Sequence, residues 1–161
     1  MSTPRSAAEP ARLAGPNRGG DSGPQLSPGF WLHHAALHWR AALDAALTPL
    51  ALTPTQFILL ATTGWLEHRG DPPTQQQVAD GSGADRVMTS KIIRTLEDRG
   101  LITRRPDEAD ARAMRLALTP KGRTLARRAI AVAQDVDDAF FGPTPESLRA
   151  TLRDLSNRSV R

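Results

Sequence analysis

From residue 30 onward apolar side chains return every three or four positions, whereas only Leu13 and Leu26 interrupt the small and polar residues before it. Leu32, Ala36, Trp39, Leu43, Leu47 and Leu50 form the stripe of an amphipathic helix, expected over about 30–47. Thr53-Pro54 joins a capping hydroxyl to a proline at the first helical position, and the run through Phe57, Leu60, Ala61 and Trp65 carries a second helix to Gly70. After Asp71-Pro72-Pro73, Thr74 caps a short helix over about 75–80, which Gly81-Ser82-Gly83 is expected to break. A further helix follows over about 85–99, with Met88, Ile92 and Leu96 expected to face inward and Gly100 as its stop. Two helices joined by a tight glycine-containing turn make a helix-turn-helix.

The period then changes from helical to alternating. Leu101 to Arg105 reads as a short strand, Pro106 to Asp110 as a polar turn, and Met114, Leu116 and Leu118 as one face of a returning strand. A hairpin directly behind the second helix of the pair occupies the position of a wing. Thr119-Pro120 repeats the cap-plus-proline signal and opens a long helix with Leu125, Ala129, Val132, Val136 and Ala139 on one stripe, ending at Gly142-Pro143. A last helix, over about 145–157, carries Leu148, Leu152 and Leu155. A helix of some twenty residues is roughly 30 Å long, more than a small winged core covers, so part of its stripe must be buried elsewhere. The expected fold is therefore mainly α (α+β): a winged helix-turn-helix over about 53–119, between N- and C-terminal dimerisation helices over about 30–50 and 120–158. Together these form one domain, 29–161.

Composition narrows the chemistry. Ten of the 25 Gly and Pro residues lie in 1–29, and a segment so poor in apolar residues cannot offset its ordering entropy, so 1–28 is expected to be a disordered tail. The 161 residues contain no Cys, which excludes disulfides, thiolate nucleophiles and thiol redox sensing. No apolar run approaches the roughly 20 residues that span a bilayer, and no signal-peptide pattern opens the chain, so no membrane partner and a cytoplasmic location are expected. Lys and Arg total 21 against 17 acids, a formal +4. That excess is uneven: residues 71–119 hold eight cations and eight acids, and 120–161 hold eight and five. Only the placement of individual cations can argue for a polyanion.

In a helix-turn-helix the second helix enters the major groove and its N-terminal side chains meet base edges. Here Arg86 is suited to a guanine, Thr89 and Ser90 to base or phosphate, and Lys91 and Arg94 to phosphate, while Gln75 and Gln76 are placed for the DNA backbone. The alternative reading of these residues is a solvated polar face. In the hairpin turn, Asp107, Glu108 and Asp110 would repel phosphate unless they orient arginines, with Asp110 fixing the wing so that Arg112 reaches a minor groove. His34 and His38 share a helix face, yet no His-Glu-x-x-His frame and no closely spaced third ligand accompanies them, so no metal or cofactor is expected. His38, Trp39 and Phe57 are candidates for lining a small-molecule cleft. No phosphate loop, nucleophile elbow or paired-carboxylate site is present, and the chain is not expected to be an enzyme.

Five stretches carry a resemblance. They are Leu52-Thr53-Pro54-Thr55-Gln56-Phe57; Thr74-Gln75-x-x-Val78-Ala79; Met88-Thr89-Ser90-Lys91 with Leu96-Glu97-Asp98-Arg99-Gly100-Leu101-Ile102; Arg104-Arg105-Pro106-Asp107-x-x-Asp110-x-Arg112-Ala113; and Leu118-Thr119-Pro120-Lys121-Gly122. Together they closely resemble the MarR (multiple antibiotic resistance regulator) family over about 30–141. The resemblance implies a homodimeric winged helix-turn-helix that binds a pseudo-palindromic operator on double-stranded DNA, usually as a repressor, and is shifted off DNA by a small phenolic or other aromatic effector. By position, Asp110 and Arg112 match the family's wing Asp-x-Arg, and residues 86–91 match its recognition helix. The rival readings are a winged-helix module for protein partners and a non-specific architectural DNA-binding protein.

Overall fold

The computed structural model describes residues 23–110, 112–142 and 146–158, in two compact units, one ending at Leu37 and the other beginning at His38. In the first, Gly23–Leu26 form a 3-10 turn and helix α1 (Pro28–Leu47) begins. The Trp31 indole N–H donates to the Gln25 carbonyl at 2.9 Å. Residues 23–28, expected to belong to a disordered tail, are thus structured, because this bond and the proline at the helix start fix them. The remainder of that expected tail, 1–22, lies outside the described residues.

In the second unit α1 is completed, and α2 (Pro54–Arg69), α3 (Gln75–Ser82), α4 (Arg86–Asp98), β1 (Ile102–Pro106), β2 (Met114–Leu118), α5 (Pro120–Phe141) and α6 (Glu146–Ser156) follow. Three threonines start helices. Thr53 and Thr74 each form a reciprocal capping box, with Gln56 and Gln77, and Thr119 accepts the Gly122 N–H at 3.0 Å. The glycine turn is shorter than expected. Gly81 remains helical, and a Cβ there would stand 3.3 Å from Thr62 Cγ2, so the residue lets α3 lie close on α2; the chain turns only at Gly83, with φ +67°.

Leu43, Leu47, Leu59, Leu60, Val78, Ile93, Leu96, Leu101, Ile102 and Leu116 form a core in which each is at most 1% exposed. Burying a side chain of this size contributes about 1.5–3 kcal/mol, and Leu52, Leu118, Ala126 and Ala129 extend the same core. The face of α4 that joins them is Thr89, Ile93 and Leu96, with Ile92 half-buried. Met88, expected inside, is 51% exposed instead. Trp65 likewise lies outside the core, its ring covered by the Arg69 guanidinium at 4.7 Å.

The two strands pair antiparallel from Ile102↔Leu118 to Pro106↔Met114. The hairpin is anchored at its root, where the Leu116 N–H donates to the Pro73 carbonyl at 2.8 Å and Arg115 bridges to Thr74. The start of α5 clasps the end of α4. Thr119 Oγ1 donates to the Gly100 carbonyl (2.7 Å), the Thr119 N–H to the Leu101 carbonyl (3.1 Å), and Lys121 Nζ to the Arg99 carbonyl (2.9 Å). No single described helix is long and apolar enough to cross a membrane.

Candidate nucleic-acid interface

Helix α4 begins where Asp85 adopts extended backbone and its carboxylate accepts the N–H groups of Val87 (2.9 Å) and Met88 (3.0 Å). The cap fixes the first turn and occupies two of the amides that a helix N-terminus would otherwise offer to an anion. Contacts to a phosphate from this helix therefore rest chiefly on its side chains. With Thr89, Ile93 and Leu96 inward, the opposite face presents Arg86, Val87, Ser90, Lys91, Arg94, Thr95 and Asp98, which line one shallow open groove. Of the expected recognition residues, Arg86, Lys91 and Arg94 are exposed on this face and Ser90 is half-buried at its edge. Thr89 is the exception. It is fully buried with its hydroxyl unpartnered, because the register set by Ile93 and Leu96 turns it into the core, and it has no access to base or phosphate.

Hydrogen bonds and ion pairs sort the cations into two groups. Arg104 pairs with Glu97 (3.2 Å), Arg115 with Asp107, and Arg123 with Glu67 (2.6 Å), while Arg99 reaches Gln56 and Arg40 reaches Thr55. Among the described residues Arg86, Lys91, Arg94, Arg105 and Arg112 of α4 and the hairpin take part in none of these ion pairs, and neither do Arg127, Arg128, Arg149, Arg153 and Arg158 farther along the chain. The first group braces elements together; the second remains available to an external anion. Gln75, half-buried, has its amide oxygen enclosed without a partner, and Gln76 donates to Asp80 Oδ1 at 2.6 Å.

The wing turn is built on Asp107, which is only 8% exposed. Its Oδ1 accepts the N–H groups of Ala109 (2.8 Å) and Asp110 (3.0 Å), an Asx turn, while Oδ2 accepts from Arg115 Nε. The Ala109 amide, then the Arg115 guanidinium, then the Asp110 amide hold the Asp107 carboxyl below its ordinary value, against the opposing effect of burial. Arg115 continues to the Pro72 carbonyl at 2.8 Å, so one arginine ties the turn to the α2–α3 connection. Asp110 accepts the backbone N–H of Arg112 at 2.9 Å and leaves that residue's side chain exposed. Of the three acids expected to orient arginines, Asp107 holds Arg115 and is the central carboxylate of the turn, and Asp110 orders the main chain of Arg112; the Pro-Asp-x-x spacing of an Asx turn is the sequence signal for Asp107.

The three candidate cleft residues line neither the α4 groove nor the one between α5 and α6 that Gln134, Asp138, Phe141, Leu148 and Leu152 enclose. Trp39 is half-buried and its indole N–H donates to Asp137 Oδ1 at 2.7 Å, fastening α1 to α5; Phe57 packs at the edge of the core, and His38 is exposed. In the first unit, the His34 Nδ1–H donates to the Phe30 carbonyl at 2.9 Å. No group of three or more His, Cys, Asp or Glu converges among the described residues.

A capped helix with free cations on its outer face, preceded by a short helix and followed by an anchored hairpin, defines a DNA-binding winged helix-turn-helix. The MarR family model matches residues 52–114. An HTH-type transcriptional regulator of Bacillus subtilis, YdcH, is 36% identical over 120 residues, covering 74% of this chain and 82% of its own. Among solved structures, CouR of Rhodococcus jostii RHA1 bound to p-coumaroyl-CoA superposes with a TM-score of 0.69 at 25% identity, covering 83% of this chain and 94% of that one. CouR, a transcriptional repressor, has also been solved on a 23-mer DNA duplex. The Mycobacterium tuberculosis regulator MOSR in complex with DNA gives a TM-score of 0.65 at 28% identity, covering 81% and 92%. The chain belongs to the MarR family of transcriptional regulators.

Proposed function

We propose that this regulator is a homodimeric repressor that acts in the cytoplasm, binds a pseudo-palindromic operator through α4 and the wing, and leaves it when a small aromatic ligand binds. The observation that carries the reading is the placement of exposed cations: Arg86, Lys91 and Arg94 share the outer face of α4 and Arg112 stands on the wing, outside the ion pairs that hold Arg104 and Arg115 of the hairpin. In this reading Arg86 contacts a base edge, Ser90, Lys91 and Arg94 contact base or phosphate, Gln75 and Gln76 lie against the DNA backbone, and Arg112 enters a minor groove with Asp110 ordering its main chain. The division into a winged unit over about 53–119 and dimerisation helices over about 30–50 and 120–158 is part of the same proposal. It is supported by the apolar residues left exposed on α5 and α6, among them Phe140, Phe141, Leu152 and Leu155. Repression and release by an aromatic compound are supported by CouR, a repressor solved with p-coumaroyl-CoA and on DNA. His38, Trp39 and Phe57 are retained as candidate ligand contacts.

The test is a mobility shift of the DNA upstream of the chain's own coding region, with and without p-coumaroyl-CoA and a panel of phenolic carboxylates. A specific complex that at least one of these dissolves is expected. Arg86→Ala should cost about 1–3 kcal/mol and relax sequence preference, whereas an equal loss on specific and random DNA would reassign Arg86 to phosphate.

A further inference from the structure

The outer face of α4 has an apolar centre that charge and hydrogen bonding do not account for. Val87 is 79% exposed, although it lies on the second residue of the helix, amid the groove formed with Arg86, Ser90, Lys91 and Arg94. At 3.6 residues per turn it shares its face with Ser90, Lys91 and Arg94 and lies opposite Thr89 and Leu96, so no rotation of the helix consistent with the core buries it. Met88, the other exposed apolar residue of this turn, sits on the flank. Val87 is also held in place: its backbone N–H is bound by the Asp85 cap, and a β-branched side chain in a helix has essentially one χ1 rotamer. A rigid pair of methyls at the tip of a recognition helix matches the one apolar feature of the major groove, the thymine C5-methyl.

We propose that Val87 reads sequence by packing against a thymine methyl, with the exposed cations around it supplying phosphate and guanine contacts. The inference rests on the proposed operator binding. The probe is a duplex that the full-length protein itself selects from a random library, compared with versions in which each thymine in turn is replaced by uracil. Loss of one buried methyl corresponds to about fourfold in affinity per half-site, or about 15-fold when both half-sites of a dimer are changed. Wild-type protein should show that loss at one symmetric thymine position, and Val87→Ala should bind the thymine and uracil duplexes with nearly equal affinity. Because Val87 is on the surface, the variant should melt with the wild type. Failure to enrich any sequence would overturn the operator reading itself. An enriched duplex on which no uracil replacement changes affinity more than twofold, or a Val87→Ala loss that is equal on both duplexes, would leave operator binding intact and overturn the role of Val87.

Discussion

The two ends of α5 contrast with each other. At its start, Thr119, Lys121 and Gly122 meet the carbonyls of Arg99, Gly100 and Leu101, and every group is satisfied within one chain. Toward its end, Phe140 and Phe141 are each 37% exposed, and α6 adds Leu152 and Leu155 at 38% and 44%. The first region is closed and fixes where α4 ends and the wing begins. The second carries apolar surface that folding of one chain leaves in water, the surface that the proposed dimer would bury.

The sharpest way to break the closed end is Gly122→Ala. In an ordinary helix interior this change gains about 1 kcal/mol. Here the new Cβ would lie 2.0 Å from the Leu101 carbonyl oxygen, a backbone atom that cannot move without displacing β1. The expected result is a loss of about 3 kcal/mol or more in urea unfolding, with DNA binding falling in parallel. A variant as stable as the wild type would mean that α5 does not need this close approach.

At the open end the expected change is in assembly. Leu152→Asp combined with Leu155→Asp should raise the dimer dissociation constant by about 100-fold or more in sedimentation equilibrium, since two apolar side chains per copy would be replaced by charges. If dimerisation is unaffected, α6 is not part of the interface, and the exposed phenylalanines of α5 become the next positions to test.

Asp107 sharpens the comparison inside the wing, because its contribution depends on charge. Its folded carboxyl titrates below the ordinary 3.8, so its stabilisation is fully present above that value and is lost as pH falls through the lower, folded one. Asp107→Asn should melt below the wild type at neutral pH, and the gap should close as pH is lowered below about 4. A gap that stays constant into acid would assign the role of Asp107 to shape alone.

The regions also differ in how much of them could be read from sequence. Thr53-Pro54, Thr74 and Thr119-Pro120 announced their helices because a capping hydroxyl and a proline act locally. The inward face of α4 is ambiguous in the sequence because Ile92 and Ile93 are adjacent and both 88-92-96 and 89-93-96 fit; only packing against the other helices selects the second, which buries a threonine and exposes a methionine. Gly81 looked like a breaker because its helical role, letting α3 approach Thr62, depends on a residue nineteen positions away. The Leu-Thr-Pro-Lys-Gly motif was recognisable before its reason was: the glycine answers to a carbonyl that no local pattern indicates.

The smallest expected effect concerns backbone strain in the passage from α1 to α2, away from both ends of α5. Ala51, following the 3-10 turn Thr48–Leu50, has φ 51° and ψ 40°, and is the only residue other than glycine with positive φ among those described. Its N–H donates to the Thr48 carbonyl at 2.9 Å, so the left-handed conformation is imposed by the tight passage from α1 to α2. That conformation costs an L-residue about 1–2 kcal/mol, while glycine adopts it freely but loses more entropy on folding. Ala51→Gly should therefore stabilise the protein by about 0.5 kcal/mol, a rise of one or two degrees in Tm, with DNA affinity unchanged. A drop in Tm would mean that the Ala51 methyl makes a contact worth more than the strain it carries.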